Sequence, residues 1–246
     1  MTLTNARPGS TSGATEAGPT GTARTTGLLY LGLGITGLLG SWLVRGQIYV
    51  AGDPRGTLSN LVEHTSVARL GIVLELGVVL TQALAAVWFY RLFRRVDSFA
   101  AGLIAVFGMV NAVAILGSAA MLATALDVAD DKSLAVTGGA AATAQLLYVI
   151  CGHLWGVAGL FFGLWLIPMG WLVVHSRWLP QSLGHLLMAG GVGYVLSTFT
   201  SYALPGADLV SGLLTVPATI GEFWILGYLI LFGVRDHPRT SASTVH

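Results

Sequence analysis

The stretch that decides the fold runs from residue 138 to residue 175 and reads GGAAATAQLLYVICGHLWGVAGLFFGLWLIPMGWLVVH. It contains no Asp, Glu, Lys or Arg, and it greatly exceeds the roughly 20 helical residues that cross a bilayer core. The stretch is either one membrane helix that begins with an interfacial or protruding piece at about 138–150, or two spans. Gly152 and His153 leave almost no room for a turn, which favours a single helix.

Five further apolar runs are long enough to cross a bilayer, and they lie at residues 27–44, 67–92, 98–126, 182–203 and 208–234. Of the 246 residues, 54% are hydrophobic and 9% are charged, whereas a soluble domain carries roughly 25% charged residues. A chain so poor in charge cannot cover a surface that faces water. We therefore predict an all-α, polytopic membrane helix bundle with six transmembrane helices, or seven if the 138–175 run divides.

The two ends of the chain are polar, and the basic residues predict their orientation. Residues 1–26 are rich in Thr, Ser, Gly and Pro and have no apolar periodicity, which predicts a disordered tail before a bundle at 27–235. Residues 236–246 form a second, short tail. Lys and Arg concentrate on one side of the six spans, at Arg7, Arg24, Arg91, Arg94, Arg95, Arg177, Arg235 and Arg239. By the positive-inside rule, we expect both termini in the cytoplasm and a multi-pass protein of the cell membrane.

Several kinds of chemistry lack their sequence signatures. The formal net charge of +1 gives no reason to expect a nucleic-acid partner, and the single cysteine, Cys151, leaves no intramolecular disulfide or cysteine metal cluster. There is no Walker loop, GxSxG, HExxH or DDxxD-like motif, and the six histidines form no pairs at helical spacing. We predict no metal and no cofactor, and we expect the bilayer and a hydrophobic small molecule or lipid as partners.

Four polar side chains interrupt the apolar spans, namely Glu75, Asn111, His153 and Glu222. An ionisable group at the bilayer centre costs about 2.5–3.5 kcal/mol on insertion scales, so it usually faces the bundle interior or a wet cavity. Gln82 follows Glu75 at i+7 and shares its helix face. We take Glu222, Glu75 and His153 as candidate catalytic groups. Asn111 and Gln82 are interpreted as substrate-binding groups or as polar glue between helices.

The last span carries a polar stripe. Ser211, Thr215, Thr219 and Glu222 recur at steps of four, four and three, which places them on one helix face. Pro217 removes a backbone donor near the same depth. The stripe predicts the wall of a polar pocket in which Thr215 and Thr219 contact the substrate. The alternative is that these hydroxyls bond back to their own helix and line nothing.

Two arginines lie near the predicted outer ends of the first two spans, Arg45 and Arg69. The ordinary role of such residues is to reach into the headgroup layer with their charged ends. The alternatives are an ion pair with Glu63 or Glu75, or a contact with an anionic group at the mouth of the pocket. We include both arginines among the candidate substrate-binding residues.

The chain resembles a bacterial membrane family catalogued as domain of unknown function four-three-eight-six. The resemblance covers nearly everything after the tail, and it is carried by the run at 28–45, RLGI at 69–72, GHLWGVAGLFFGL at 152–164, LP at 179–180 and PATIGEFWILGYLI at 217–230. The positions that match are Arg45, Arg69, Glu75, His153 and Glu222. The resemblance implies an architecture and no reaction.

A second, weaker similarity is to the small membrane-bound meroterpenoid cyclases. Those enzymes have one acid in the second helix and another in the last, which here are Glu75 and Glu222. An apolar pocket keeps a carboxylic acid protonated because desolvation disfavours the anion. Our first hypothesis is therefore a membrane enzyme that cyclises or isomerises an isoprenoid-like or lipid-like substrate. Glu222 is its general acid, and Glu75 or His153 takes a proton back.

Two other functions are compatible with the same residues. A small proton-coupled transporter or exporter would use these buried acids as a proton relay. A non-catalytic membrane partner protein would use them only to fix helix register. An enzyme should enclose a pocket where titratable groups converge, a transporter should have polar lining on both sides, and a scaffold should pair its buried acids without a cavity beside them.

Overall fold

The computed structural model describes residues 19–204 and 206–234, and every regular element within them is helical. Six helices are long and apolar enough to cross a membrane, and one short helix is not. The chain is thus a polytopic membrane helix bundle with six transmembrane helices, as predicted. The helices are α1 (Pro19–Leu39, continued by the π-helical segment Gly40–Arg45 and the turn Gly46–Ile48), the short α2 (Pro54–Glu63), α3 (Thr65–Phe93), α4 (Ser98–Asp130), α5 (Gly139–Ser176), α6 (Gln181–Ala203) and α7 (Asp208–Leu231).

Short connections make consecutive spans antiparallel, so the bundle has two ends. The end that we call the Arg45 end holds the last turn of α1, the whole of α2 and the start of α5. The opposite end, the Arg177 end, holds the α3–α4 and α5–α6 connections. Five of the basic residues counted above gather there, at Arg24, Arg91, Arg94, Arg95 and Arg177. The cytoplasmic location of this end stays a prediction.

Side-chain caps and one left-handed residue set several helix boundaries. The Asp53 carboxylate accepts a hydrogen bond from the backbone N–H of Gly56 at 3.0 Å and begins α2. Asp97 does the same for α4, accepting from the N–H of Ala100 at 2.8 Å. Helix α5 ends at Ser176. The next residue, Arg177, has a φ of 55°, and this left-handed backbone conformation cannot continue the helix.

Helix α5 is a single continuous helix from Gly139 to Ser176, which confirms the preferred interpretation of the 138–175 run. At about 1.5 Å per residue it is much longer than a bilayer core of about 30 Å. Its first turns pack beside α2, where the Thr57 hydroxyl donates to Gln145 Oε1 at 2.7 Å. The predicted protruding piece is therefore tied to the rest of the protein through α2.

The first span begins earlier than predicted. Residues 19–26, which the sequence assigned to the polar tail, form the first turns of α1, and Thr22, Ala23 and Thr26 are buried. The Thr26 hydroxyl donates to the Thr22 carbonyl at 2.8 Å, so the helix itself satisfies a polar side chain that the sequence pattern marked as loop-forming. Residues 1–18 and 235–246 lie outside the described residues. They contain most of the predicted N-terminal tail and all of the predicted C-terminal tail.

Helix α5 is the most buried of the six spans, since half of the residues in its most apolar stretch lie inside the bundle. Gly159 and Gly163, which are four residues apart on α5, both face α6. A Cβ on Gly163 would lie 2.8 Å from the Gly191 carbonyl oxygen. The backbones of α5 and α6 therefore approach closely, as the small-residue spacing predicts. Near the Arg45 end, the absence of a side chain at Gly152 instead makes room for the guanidinium of Arg45.

Helices α1 and α7 meet near the Arg177 end and have different partners elsewhere. Gly27 of α1 lies against Ile230 of α7. Towards the Arg45 end, Val44 of α1 packs on Gly71 of α3, whereas α7 bonds to α6 through the Ser197 hydroxyl and the Ser211 carbonyl at 2.8 Å. Towards the Arg45 end, α1 and α7 are therefore held by different helices.

Candidate functional site

Two neighbouring cavities lie inside the bundle. The first, here the Glu222 chamber, has a volume of about 240 Å3, and its principal polar and aromatic lining residues are Tyr30, Gln82, Asn111, Phe162, Tyr194 and Glu222. The second, the Glu75 chamber, has a volume of about 280 Å3, and its principal polar lining residues are Thr36, Ser41, Arg45, Glu75 and Tyr148. Gly37, Val78 and Trp155 line both cavities and form a shared wall.

The carboxyl group of Glu222 is held by Tyr30 across the Glu222 chamber. The Tyr30 hydroxyl donates a hydrogen bond to Glu222 Oε1, joining the first span to the last. Tyr30 is buried, and its ring packs against Phe89 and Trp165 at centroid distances of 5.6 Å and 5.7 Å. Glu222 itself is half-buried. The rigid phenol thus fixes one carboxyl oxygen while the side chain borders the cavity.

The amide group of Gln82 has no hydrogen-bond partner in the described part of the protein. Gln82 is fully buried and lines the Glu222 chamber, and among the described residues neither its oxygen nor its nitrogen finds a hydrogen-bond partner. A buried polar group without a partner costs about 1–3 kcal/mol. Asn111 is also buried and lines the same chamber. The wall of the chamber therefore includes one amide group, that of Gln82, whose hydrogen-bonding capacity no described residue satisfies.

Four further aromatic residues line the Glu222 chamber. Phe162 packs edge-to-face on Tyr194 at 5.3 Å, and Trp155 completes this side. On the opposite side, Phe223 lines the chamber while 72% of it remains exposed, and Gly34 of α1 is also exposed. The chamber thus reaches the lipid-facing surface between α1 and α7.

Glu75 is buried, and two donors from two helices hold it. Its Oε1 accepts a hydrogen bond from Trp155 Nε1 at 3.0 Å and another from the Ser118 hydroxyl at 3.2 Å. The other oxygen, Oε2, has no hydrogen-bond partner in the part of the chain that the structure describes. Trp155 therefore connects the chambers, because its ring borders both and its N–H orients the carboxyl of one.

Arg45 brings a positive charge to the Glu75 chamber. It ends the π-helical segment of α1, a rare helix type that often occurs at functional sites. Its Nη2 donates to the Tyr148 carbonyl at 3.1 Å, and its guanidinium lies 5.1 Å from the centre of the Tyr49 ring. Within the described chain Arg45 and Glu75 form no direct ion pair, although both side chains line this chamber.

Three candidates from the sequence lie outside both chambers. His153 is exposed, and its Nδ1 lies 3.3 Å from the Tyr202 hydroxyl. Arg69 is exposed at the start of α3. The Thr215 hydroxyl donates to the Gly212 carbonyl of its own helix at 2.8 Å.

The polar stripe on α7 does not line a pocket along its whole length. Ser211 is buried against α6, and the Thr219 hydroxyl donates to the Thr215 carbonyl at 3.2 Å. Thr219 and Glu222 reach the Glu222 chamber. The bonds that the Thr215 and Thr219 hydroxyls make within the helix agree with the alternative interpretation of the stripe.

Sequence reasoning did not nominate the aromatic partners Tyr30, Trp155 and Tyr194. Trp155 and Tyr194 lie within predicted spans rather than at their ends, where aromatic residues of membrane proteins commonly anchor, whereas Tyr30 lies in the first turn of the predicted span 27–44. An aromatic residue with a polar handle at mid-span is the signal that could have identified Trp155 and Tyr194. Ser118, whose hydroxyl donates to Glu75, was also not among the candidates from the sequence.

A third cavity, of about 370 Å3, lies near the Arg177 end beside Phe99 and Pro168. Its carboxylate, Asp97, already caps α4. Within the described residues there is also no group of three or more His, Cys, Asp or Glu that could hold a metal ion. The two chambers above are therefore the candidate site.

The fold and the site define an integral membrane protein with carboxyl groups in two neighbouring cavities. The chain belongs to the family described as Domain of unknown function (DUF4386), whose model matches residues 25–233. This confirms the family resemblance drawn from the motifs. Searches of curated proteins and of solved structures gave no match, so the similarity to meroterpenoid cyclases finds no support there.

Proposed function

We propose that this protein is a membrane enzyme that isomerises a hydrophobic, isoprenoid-like or lipid-like molecule by acid–base chemistry in the Glu222 chamber. The observation that carries the proposal is the Glu222 carboxyl group, hydrogen-bonded to Tyr30 in an aromatic cavity that reaches the lipid-facing surface. The substrate enters from the bilayer between α1 and α7. Its carbon chain then lies against Phe162 and Tyr194.

The chemical step transfers one proton each way. The protonated Glu222 carboxyl donates its proton to a carbon–carbon double bond, which leaves a carbocation on the substrate and a carboxylate on Glu222. The Tyr30 hydroxyl bond stabilises that carboxylate, and the faces of the neighbouring rings stabilise the cation. Loss of a proton from an adjacent carbon to Glu222 forms a new double bond, so the product has the mass of the substrate.

We assign the return of the proton to Glu222 itself instead of to Glu75 or His153. His153 is exposed, and Glu75 lies in the neighbouring chamber with one oxygen bonded to Trp155 and Ser118. The carboxylate that has just donated is the nearest base to the cation. The same cycle also serves a cyclisation, in which a second double bond attacks the cation before the proton is lost.

The test compares organic extracts of host cells that express wild type or Glu222→Gln and receive isoprenoid precursors. We expect a compound of unchanged mass and shifted chromatographic retention in the wild-type extract. In the variant it should fall by about 100-fold or more, the usual contribution of general acid–base catalysis. Glu63→Gln is the matched control, because Glu63 is an exposed carboxylate on α2. Equal amounts of product in the Glu222→Gln extract would overturn the proposal.

A second candidate is a proton-coupled transporter, which the adjacency of the two chambers favours. Glu75 and Glu222 line cavities with a shared wall, so they lie along one route through the bundle. Proteoliposomes with an imposed pH gradient separate the two functions. Uptake that depends on the gradient and is lost in Glu222→Gln, with unchanged extracts, would favour transport.

The third function, a non-catalytic partner protein, has less support. Such a protein should pair its buried acids without a cavity beside them. Here a cavity borders each carboxyl group, and Oε2 of Glu75 has no partner within the described chain. An acid used only to fix helix register would gain from complete pairing.

A further inference from the structure

The Glu75 chamber contains hydrogen-bonding groups of both kinds that the described protein leaves unused. Glu75 Oε2 is an acceptor without a partner. The guanidinium of Arg45 has five N–H donors, and the structure gives one side-chain hydrogen bond from it, to the Tyr148 carbonyl. Both side chains line the same cavity of about 280 Å3. A molecule that fits this chamber should therefore offer an acceptor and a donor close together.

A hydroxyl group meets this requirement with a single oxygen atom. Its lone pairs accept from the Arg45 guanidinium while its O–H donates to Glu75 Oε2. An ether oxygen can accept but cannot donate, so it leaves Oε2 unpaired. A phosphate brings further negative charge towards the Glu75 carboxylate, and like charges repel at short range.

The shared wall allows one molecule to occupy both chambers. Gly37, Val78 and Trp155 line both of them, and Gly37 supplies no side chain at this point. A Cβ on Gly37 would approach only the Val78 side chain, at 3.9 Å, so the glycine leaves open space there. On α3, Glu75 lines the Glu75 chamber and Gln82 lines the Glu222 chamber. The two residues are seven positions apart, which corresponds to roughly 10 Å along the helix.

We propose that the substrate is an amphipathic alcohol whose hydroxyl group binds between Arg45 and Glu75 and whose isoprenoid or acyl chain passes Gly37 into the Glu222 chamber. This inference rests on the proposed function, because it names the substrate class and the orientation in which Glu222 meets the chain. Arg45 and Glu75 are then substrate-binding residues. They place a double bond roughly 10 Å from the hydroxyl beside the acid.

The head group is tested by binding of tritiated farnesol to the purified full-length protein, with unlabelled competitors. For wild type, we expect farnesol to compete about tenfold better than farnesyl methyl ether, the value of one hydrogen bond to a charged group. Farnesyl phosphate should also compete less well than farnesol. Equal or better competition by the ether or the phosphate overturns the hydroxyl assignment, as does the absence of saturable farnesol binding.

The Glu75→Gln variant tests whether Glu75 accepts the hydrogen bond from the substrate hydroxyl. The amide keeps an oxygen for Trp155 and Ser118 but replaces the free acceptor with an N–H donor. The preference for farnesol over its methyl ether should therefore fall to within about twofold, because either oxygen accepts from the amide. A preference unchanged from wild type would show that Glu75 does not receive the hydroxyl proton.

The passage between the chambers is tested with Gly37→Leu. The leucine fills the shared wall, so farnesol affinity should fall by about tenfold or more, since the chain no longer reaches the Glu222 chamber. The matched control is Gly46→Leu on the same helix, where an added Cβ meets open space and lines neither chamber. Equal affinity of Gly37→Leu and Gly46→Leu would overturn the two-chamber orientation.

The binding assay and the conversion assay can give negative results independently of each other. Their results therefore distinguish a failure of this inference from a failure of the proposed function. Conversion in cell extracts that depends on Glu222, together with no preference for the alcohol in the binding assay, would overturn the hydroxyl assignment alone. Selective farnesol binding with extracts that are identical for wild type and Glu222→Gln would overturn the isomerase and leave an alcohol-binding site.

Discussion

The two chambers hold their carboxyl groups in different ways. Glu75 is buried and accepts two hydrogen bonds on one oxygen, from helices α4 and α5. Glu222 is half-buried and accepts one, from Tyr30. A carboxyl group held by two donors is suited to binding a partner in a fixed position. One held by a single donor in an aromatic cavity is better suited to exchanging a proton, because its protonated form loses fewer hydrogen bonds.

The side chains that line the two chambers also differ in size and chemistry. Besides the shared residues, the Glu75 chamber has several small residues on its wall, including Gly40, Ser41, Gly71 and Gly152. Besides the shared residues, the Glu222 chamber is lined by rings from four helices, Tyr30, Phe162, Tyr194 and Phe223. Small residues leave room for a polar head group, whereas ring faces favour a hydrocarbon chain and a developing cation.

The strongest test of this division compares Glu222→Gln with Glu75→Gln in steady-state kinetics, with the compound whose conversion the extracts reveal. We expect Glu222→Gln to lower kcat by at least about 100-fold with little change in KM, because an acid acts in the transition state. Glu75→Gln should raise KM by about tenfold with little change in kcat, because it removes a bond present in the bound substrate. Equal losses of kcat in both variants would contradict the division.

Stability should rank the two acids in the opposite order. Glu75→Leu leaves the indole N–H of Trp155 and the Ser118 hydroxyl without their acceptor, which should lower the free energy of unfolding by about 1–3 kcal/mol. Glu222→Leu leaves only the Tyr30 hydroxyl and should cost less. Unfolding in detergent measures both, and the exposed Glu63→Leu is the reference. A larger loss for Glu222→Leu than for Glu75→Leu would show that Glu222 is the structural acid.

Removal of one hydroxyl group tests the support of the catalytic acid. Tyr30→Phe keeps the ring that packs on Phe89 and Trp165, and it removes the donor to Glu222. We expect kcat to fall by about tenfold, the value of one hydrogen bond to a charged group. Tyr228→Phe removes a hydroxyl from α7 outside both chambers and serves as the control. A kcat for Tyr30→Phe equal to that of the control would mean that Glu222 works without this partner.

The architecture and the buried acids could be predicted from the sequence because both depend on local properties. Apolar runs set the six spans, and the high cost of a charge in lipid points to Glu75 and Glu222. The early start of α1 could not be predicted from composition. Its threonines bond to carbonyl groups of their own helix, and Gly27 packs against Ile230 of α7, a helix that lies at the far end of the sequence.

The division of the site into two chambers was also beyond the sequence. Spacing places Glu75 and Gln82 on one helix face, but it does not show that the Trp155 ring lies between their cavities. Tyr30 and Glu222 are 192 residues apart, so only tertiary packing brings them together. His153 shows the converse, because a histidine in an apolar span predicted an interior group while the helix turns it to the surface.

The smallest expected effects concern the threonines of the α7 stripe. The Thr215 hydroxyl already bonds to the Gly212 carbonyl and Thr219 to the Thr215 carbonyl, so neither has its proton free for a ligand. Thr215→Val should leave KM unchanged, and Thr219→Val, at the chamber wall, should change it by no more than about twofold. The same kinetic assay measures both. A tenfold rise in KM for Thr215→Val would extend the site along the stripe and remove the distinction between a polar chamber beside Glu75 and an apolar one beside Glu222.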